Sequence, residues 1–308
     1  MPSKPTLDTI LSHRSIRRFT SELITDEILD TLVRAGQQAS TSNNLQCVSI
    51  IRVSDLALRQ GIHEAAGSAP YIVHCAEFLL FCIDFSKHKA MFPDAQIDWA
   101  EVTLIGAVDA GIMAQNVLLA AESLGLGGVY IGALRNNAQK VSDVLNLPDY
   151  CVPLVGLCLG YPDQDPPFKP RLPKEMVYAE NACPSLNVDA VETYNQAVAD
   201  YYELRKGSPI PWKESLAKTL GNPVRPQMRA ATRSLRDAIE KGVIPKSNFT
   251  STQLEDIMAG KRTINGYIWH HNAQSAPNNM QLVPLEIHDA VRHTGQNALK
   301  KDVNQGNE

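Results

Sequence analysis

Hydrophobic and polar positions along the first two-thirds of the chain follow two alternating periods. In "DEILDTLVRAGQQ" (26–38) apolar residues recur at helical spacing, which predicts a helix. Thr25 is its expected N-cap, and Asp26 and Glu27 fall in the first turn, where the helix dipole favours acids. Four short runs, "VSIIRV" (48–53), "EFLLFCID" (77–84), "GGVYIG" (127–132) and "VPLVGLCLG" (152–160), are β-branched or aromatic and read as buried strands. The longest apolar stretch, "EVTLIGAVDAGIMAQNVLLAAESLG" (101–125), is hydrophobic nearly all round, which predicts a helix in the middle of the core. Glu101, Asp109, Gln115, Asn116 and Glu122 interrupt it, which argues against a membrane span. The pattern is that of an α+β or α/β layer arrangement around a central sheet.

After "LCLGYP" the texture changes. "PDQDPPFKPRLP" (162–173) holds five prolines in twelve residues and predicts a stiff, extended segment. A helix is expected over 189–205, then a mobile loop with a short helix over 206–226. The pattern restarts near residue 230. "RSLRDAIEKG" and "TSTQLEDIMAGK" read as short helices, the second capped near Thr250–Thr252, "GYIWHHN" (266–272) alternates like a strand, and "PLEIHDAVRHTG" reads as a helix from its leading proline to its closing glycine. Two domains are therefore expected, 1–230 and 231–308, the second large enough to be a small fold of its own.

Composition narrows the function classes. The 308 residues are 44% hydrophobic and 20% charged, with a formal net charge of -4 and a pI near 6.1. That balance gives no electrostatic case for nucleic-acid or membrane binding by the whole chain. The six cysteines show no C-x-x-C spacing and sit mostly in apolar runs, as small buried hydrophobes do. With no apolar leader at the start, a soluble, cytoplasmic protein is expected.

Candidate chemistry begins at "HRSIRRF" (13–19), which gathers His13, Arg14, Ser15 and Arg17 in a group of donors suited to a phosphate. "KPR" (169–171) adds Lys169 and Arg171 on the proline-rich segment, and "GLGGVYIGALRNN" (125–137) supplies a glycine-rich turn where backbone can approach a flat ligand. At these residues, and in "LQCVSIIRV", "VDAGIMAQNVLLAAESLGLGGVYIG", "LRNN" and "LCLGYP", the chain resembles the oxygen-insensitive, NADPH-dependent nitroreductase and flavin reductase family over roughly residues 5–226. The resemblance implies a homodimeric α/β sandwich with a central mixed sheet around a buried helix. It also implies FMN at the subunit interface, NADPH as electron donor, a small-molecule electron acceptor and a ping-pong reaction. By position it assigns His13, Arg14 and Arg171, with Ser15 nearby, to the FMN phosphate, and Arg17 and Lys169 to the N1–C2 carbonyl edge of the ring. Tyr130, Ile131 and Gly132 are assigned beside the hydride-accepting N5, Ser40, Thr41 and Ser42 to the other side of the cofactor, and Arg205 to the 2′-phosphate of NADPH. Glu101 matches an acidic residue near the family's active site. The chain departs from the family pattern at Asn44, Ala69 and Ala133.

Four of the eight histidines, His270, His271, His288 and His293, lie in the last forty residues, a density that suggests a metal or catalytic site. On a strand, His270 and His271 face opposite ways, which favours one as ligand and the other as activator of water. "IPKSNFT", "INGYIWHHN" and "MQLVPLEIHDAVRHTG" resemble the WHH branch of HNH/endonuclease VII-like nucleases, often toxin domains, and imply a small ββα-metal fold acting on nucleic acid. By that resemblance His270, His288 and His293 hold a divalent metal (zinc, nickel or magnesium) and His271 is the general base. Residues 233–308 carry nine Lys/Arg against eight Asp/Glu, a poor electrostatic preparation for a polyanion. The remaining readings are a nuclease carried by a dimeric flavin domain, or a fusion with an inert tail.

Overall fold

The computed structural model describes residues 5–67, 69–97, 100–220, 246–259, 264–265, 267–271 and 280–284. The chain divides into two compact units, the larger spanning Met1–Ile97 and Glu101–Pro223.

The larger unit is built on a four-stranded sheet in the order β1-β2-β4-β3, with β1 at Val48–Arg52, β2 at Glu77–Asp84, β3 at Gly127–Ile131 and β4 at Cys151–Gly160. All three strand pairings are antiparallel, so the expected mixed sheet is antiparallel in its strands, and a parallel pairing enters through the bridge Ser15↔Gly128. Every residue of β2 is buried, as suits a central strand covered on both faces. Its side chains alternate: Phe78, Leu80 and Cys82 enter one core with Ile62 and Ala65 of α3 (Leu56–Ala66) and Ile72 of α4 (Tyr71–His74). Leu79 and Phe81 enter another with Leu29 and Leu32 of α2 (Asp26–Gln37). Each such large apolar side chain contributes about 1.5–3 kcal/mol through burial. Helices therefore cover both faces of the sheet, with α7 (Ala138–Leu145) adding Val141 to the first layer.

The Thr25 cap is present, its side chain accepting from the Ile28 amide. The long helix, α6 (Ala100–Ser123), packs on the second face through Ala114, Val117, Leu118 and Ala121. Gly106 lets it close on the sheet, since a Cβ there would meet Ile83 Cγ2 at 2.4 Å. It is not wrapped on all sides, however. Leu104, Val108 and Ile112 are 60%, 57% and 40% exposed, a stripe at spacing four that the sheet does not cover. Glu101–Ser123 is long and apolar enough to cross a membrane by composition. The apolar surround comes from one face on the sheet and a second left open by the single chain.

Around this frame lie α1 (Thr6–Leu11), α5 (Ser86–Met91), α8 (Val188–Lys206) and α9 (Trp212–Leu220). The proline-rich 163–173 segment has no regular structure, as its composition predicts.

In the second unit α10 (Ser251–Met258) starts with a capping box, Thr250 accepting from the Gln253 amide and the Gln253 side chain returning to the Thr250 amide. Ile257 is fully buried, and the Asp256 carboxylate accepts from the Asn265 amide at 2.9 Å. β5 (Tyr267–His271) pairs antiparallel with β6 (Met280–Pro284), placing His270 opposite Gln281 and His271 opposite Met280. The strand expected in "GYIWHHN" is present. Pro284, expected to open a helix, instead ends β6, and the remainder of that expected helix lies outside the described residues, as do "RSLRDAIEKG" and the 230 boundary.

Candidate functional site

The basic segment after α1 is held against the sheet by backbone. Ser15 bridges Gly128, and the Ile16 amide donates to the Gly128 carbonyl at 2.9 Å. Gly127 makes room for this approach, since a Cβ there would sit 2.5 Å from Ile16 Cγ1, while Gly128 makes room for α6 and β4, a Cβ there meeting Leu118 Cδ1 at 2.8 Å and the Cys158 carbonyl at 2.9 Å. Those two glycines make room for protein rather than for a ligand. Next, the Thr20 amide donates to Tyr161 O at 2.9 Å and the Asp163 amide to Arg18 O at 3.0 Å. These bonds tie the segment to the end of β4, so the chain leaving β4 runs beside the residues that follow α1. Residues about 150 positions apart in sequence thus become neighbours.

Beyond that tie, the proline-rich segment crosses α8, where the Tyr194 hydroxyl donates to Pro170 O at 3.4 Å. Tyr201 and Tyr202 present ring faces to cations: Lys169 Nζ lies 5.7 Å and Lys206 Nζ 5.1 Å from the Tyr202 centroid, and the Arg205 guanidinium 6.0 Å from that of Tyr201. The outcome is an open cleft lined by His13, Arg14, Ser15, Arg17, Lys169, Arg171 and Arg205, with both tyrosines and Pro166–Pro167. Five guanidinium or ammonium groups in one cleft of a chain with net charge -4 make a local anion trap.

Individual groups are already oriented. His13 Nδ1 lies 2.6 Å from Glu122 Oε1, a carboxylate in the last turn of α6 with only a tenth of its side chain exposed. Arg14 stacks 4.7 Å from the centre of the Phe168 ring and pairs with the exposed carboxylate of Asp165. Arg17 Nη1 donates to Ser15 O and Arg171 Nη1 to Lys169 O, each on its own segment. The donor set of imidazole, hydroxyl and forked cations fits a phosphate ester, and the surplus positive charge fits a ring that becomes anionic on reduction.

Other expected site residues fall outside this cleft. Ser40, Thr41 and Ser42 sit at a turn ordered by Asp109 of α6, whose carboxylate accepts from the Thr41 hydroxyl and, at 3.1 and 3.2 Å, from the Ser42 amide. Asn43, Asn44 and Gln46 there hold φ of 48°, 55° and 52°, left-handed values costly to residues with a Cβ. Cys47 follows, its thiol pushed up to about 11 by burial and then by the Asp109 charge. Tyr130 donates its hydroxyl to Gln115 Oε1 at 3.3 Å, and burial, followed by the charge of Glu122, raises its phenol above the usual range. Ile131 is buried, and Gly132 opens a 3₁₀ turn over Gly132–Asn137. Glu101 is exposed on the first turn of α6.

In the second unit, His270 and His271 are on β5, while His288 and His293 lie outside the described residues. Among the described residues no group of three or more His, Cys, Asp or Glu is arranged to hold a metal ion.

Sequence reasoning missed Glu122 and Asp109 as site residues, noting them only as polar breaks in an apolar helix. A signal was available for Glu122, because an acid in the last turn opposes the helix dipole and has no basic residue in that turn to balance it. Such local conflicts mark places where another requirement prevails.

Comparison with known proteins finds two kinds of match, which overlap over residues 211–236. Residues 10–161 match the profile of the "Nitroreductase family" and 169–236 that of the "Nitroreductase family, C-terminal domain". Residues 211–295 match the "DNase/tRNase domain of colicin-like bacteriocin". Over 225 residues the chain is 49% identical to an NADPH-flavin oxidoreductase of Vibrio harveyi, covering 72% of this chain and 94% of the relative. An oxygen-insensitive NADPH nitroreductase of Salmonella typhimurium is 44% identical over 225 residues, covering 72% and 93% respectively. The crystal structure of nitroreductase A from Vibrio parahaemolyticus superposes with a TM-score of 0.69 at 50% identity, over 72% of this chain and 93% of that one.

Proposed function

The chain belongs to the nitroreductase family, and we propose that its larger module is an FMN-dependent enzyme oxidising NADPH and reducing nitroaromatics, quinones or flavins. The observation that carries this reading is the convergence of seven residues from three separated stretches on one cationic cleft. His13, Arg14, Ser15 and Arg171 would hold the FMN phosphate, and Arg17 and Lys169 the electron-rich edge of the ring. Bound FMN supplies the two-electron hydride chemistry that no side chain offers. Everything the chain adds is orientation and charge. Arg17 and Lys169 favour the reduced, anionic ring, and Arg205, donating to the Tyr201 hydroxyl at 3.3 Å, offers a cation to the 2′-phosphate that distinguishes NADPH from NADH. The resemblance to the family implies a ping-pong order, the oxidised nucleotide leaving before the acceptor enters.

The module is read as a soluble homodimer. The exposed stripe of Leu104, Val108 and Ile112 is the surface a second copy would cover, and Ser40–Ser42 and Tyr130–Gly132, outside the cleft of one chain, are the residues through which a second copy would complete the cofactor site. The test is a visible spectrum of the purified protein and NADPH oxidation with a nitro acceptor. A colourless protein that takes up no FMN on titration overturns the reading.

For the tail, the match of residues 211–295 to a colicin-like nuclease domain favours a second activity, metal-dependent cleavage of nucleic acid, with a domain boundary near residue 230. His271 would be its general base and His270, His288 and His293 its ligands. Nicking of plasmid DNA by the full chain with added divalent metal, lost in His271→Ala, supports this. Nicking unaffected by that substitution rejects it.

A further inference from the structure

We propose that Glu122 is a positioning residue for phosphate recognition, acting through His13. The inference rests on the FMN reading and deepens it. His13 lines the cleft, and its Nδ1 stands 2.6 Å from the Glu122 carboxylate. An ionised carboxylate has no proton to give, so Nδ1 carries the proton and donates it. That fixes the plane of the ring and leaves Nε2 as the polar atom available to the cleft, where the imidazolium form donates its second N–H to a phosphate oxygen. The arrangement is the one by which a carboxylate orients the imidazole of a metal site or of a catalytic triad, here turned toward an anion.

The place of Glu122 in the fold makes accident a poor account. It lies in the last turn of α6, where the helix dipole repels an acid and no basic side chain of the same turn balances it. Nine-tenths of its side chain is withdrawn from water, where an unpaired charge is costly. The group that compensates it comes from 109 positions away and is itself a wall of the cleft. The same carboxylate contributes to the raised Tyr130 phenol, so its charge is felt along β3 as well.

The test separates phosphate from ring. FMN and riboflavin are titrated, by quenching of flavin fluorescence, into the full-length wild type and into Glu122→Ala, Glu122→Gln, His13→Gln and the Glu122→Ala/His13→Gln double variant. The expected result is about tenfold weaker FMN binding by Glu122→Ala, the scale of one charge-assisted hydrogen bond, with riboflavin affinity unchanged. Glu122→Gln, which keeps an acceptor oxygen, should recover part of the loss, and the double variant should bind FMN no more weakly than His13→Gln alone. Equal weakening of FMN and riboflavin, or additive losses in the double variant, overturns the proposal. If Glu122→Ala does not fold, Glu122→Gln and His13→Gln decide it by the same FMN-to-riboflavin ratio. Wild type that binds no FMN defeats the functional reading itself, whereas wild type that binds FMN beside indifferent Glu122 variants defeats this inference alone.

Discussion

Replacing Asp109 by alanine should loosen one turn of the larger module far more than its surroundings. The carboxylate is buried and accepts from the Thr41 hydroxyl and the Ser42 amide, with the Cys47 thiol 3.8 Å away. Hydrogen bonds to a charged acceptor contribute about 1.5–3 kcal/mol each, and groups left half-buried without an acceptor cost about 1–3 kcal/mol. Against this stands relief from desolvating the carboxylate, worth several kcal/mol in the opposite sense. The three left-handed residues at 43, 44 and 46 hold roughly 1 kcal/mol of strain each, so the turn has little margin once its anchor is gone. A net loss of about 3 kcal/mol follows, or about 6–12 °C in Tm for a module of this size. Urea and thermal unfolding measure the total, and amide exchange locates it: protection should fall at residues 42–47 first. Adding Asn43→Gly to the variant should restore about 1 kcal/mol, because glycine adopts that φ freely. A Tm shift below about 3 °C, or exchange rising evenly over the whole sheet, refutes the reasoning.

Three further outcomes are expected. Leu104→Glu with Val108→Glu, charging the open stripe of α6, should turn a dimer into a monomer by light scattering, and a dimer of unchanged affinity excludes that face as the interface. At pH 8 Cys183, exposed, should react quickly with an aromatic disulfide while the five buried thiols stay silent; Cys47, held up to about 11, should join it in Asp109→Ala, and a fast second thiol in wild type counts against the burial. Burial works against the ionised Asp84 carboxyl, but Ser49, Ser86 and Lys87 outweigh it and hold the carboxyl below its ordinary value. A lowered folded-state value stabilises above the unfolded value, about 4, and that stabilisation is lost as pH falls through the folded one. Asp84→Asn should therefore flatten the acid limb of stability against pH, and a limb as steep as that of wild type rejects the assignment.

Elements whose signals are local could be read from sequence. The Thr25 cap with acids behind it marks the start of α2, and the six consecutive apolar residues of β2 between Glu77 and Asp84 mark a strand covered on both faces. The cations of the cleft were legible as types, since arginine and lysine beside prolines suit an anion before their meeting place is known. What decided the geometry was not local. His13 and Glu122 are assigned to each other by the bridge between Ser15 and Gly128, which no periodicity reports. An apolar surround on α6 could not separate a face turned to the sheet from one left open by the single chain, because both are written in the same apolar residues. Asn43, Asn44 and Gln46 carry no mark in their identity strong enough to predict three left-handed backbones held by an aspartate 60 or so positions away.

The pairing of Arg14 with Asp165 sets a threshold on what can occupy the cleft. An arriving anion does not find that guanidinium bare; it must displace a carboxylate tethered beside it. Because Asp165 is largely solvent-exposed, the tether is weak, worth no more than about 1 kcal/mol, and a phosphate dianion engaging several donors together dislodges it. Chloride or acetate, bringing a single charge against one already in place, gains almost nothing by the exchange. Thus a single surface ion pair tilts the cleft by a few-fold at most toward anions that engage several donors at once.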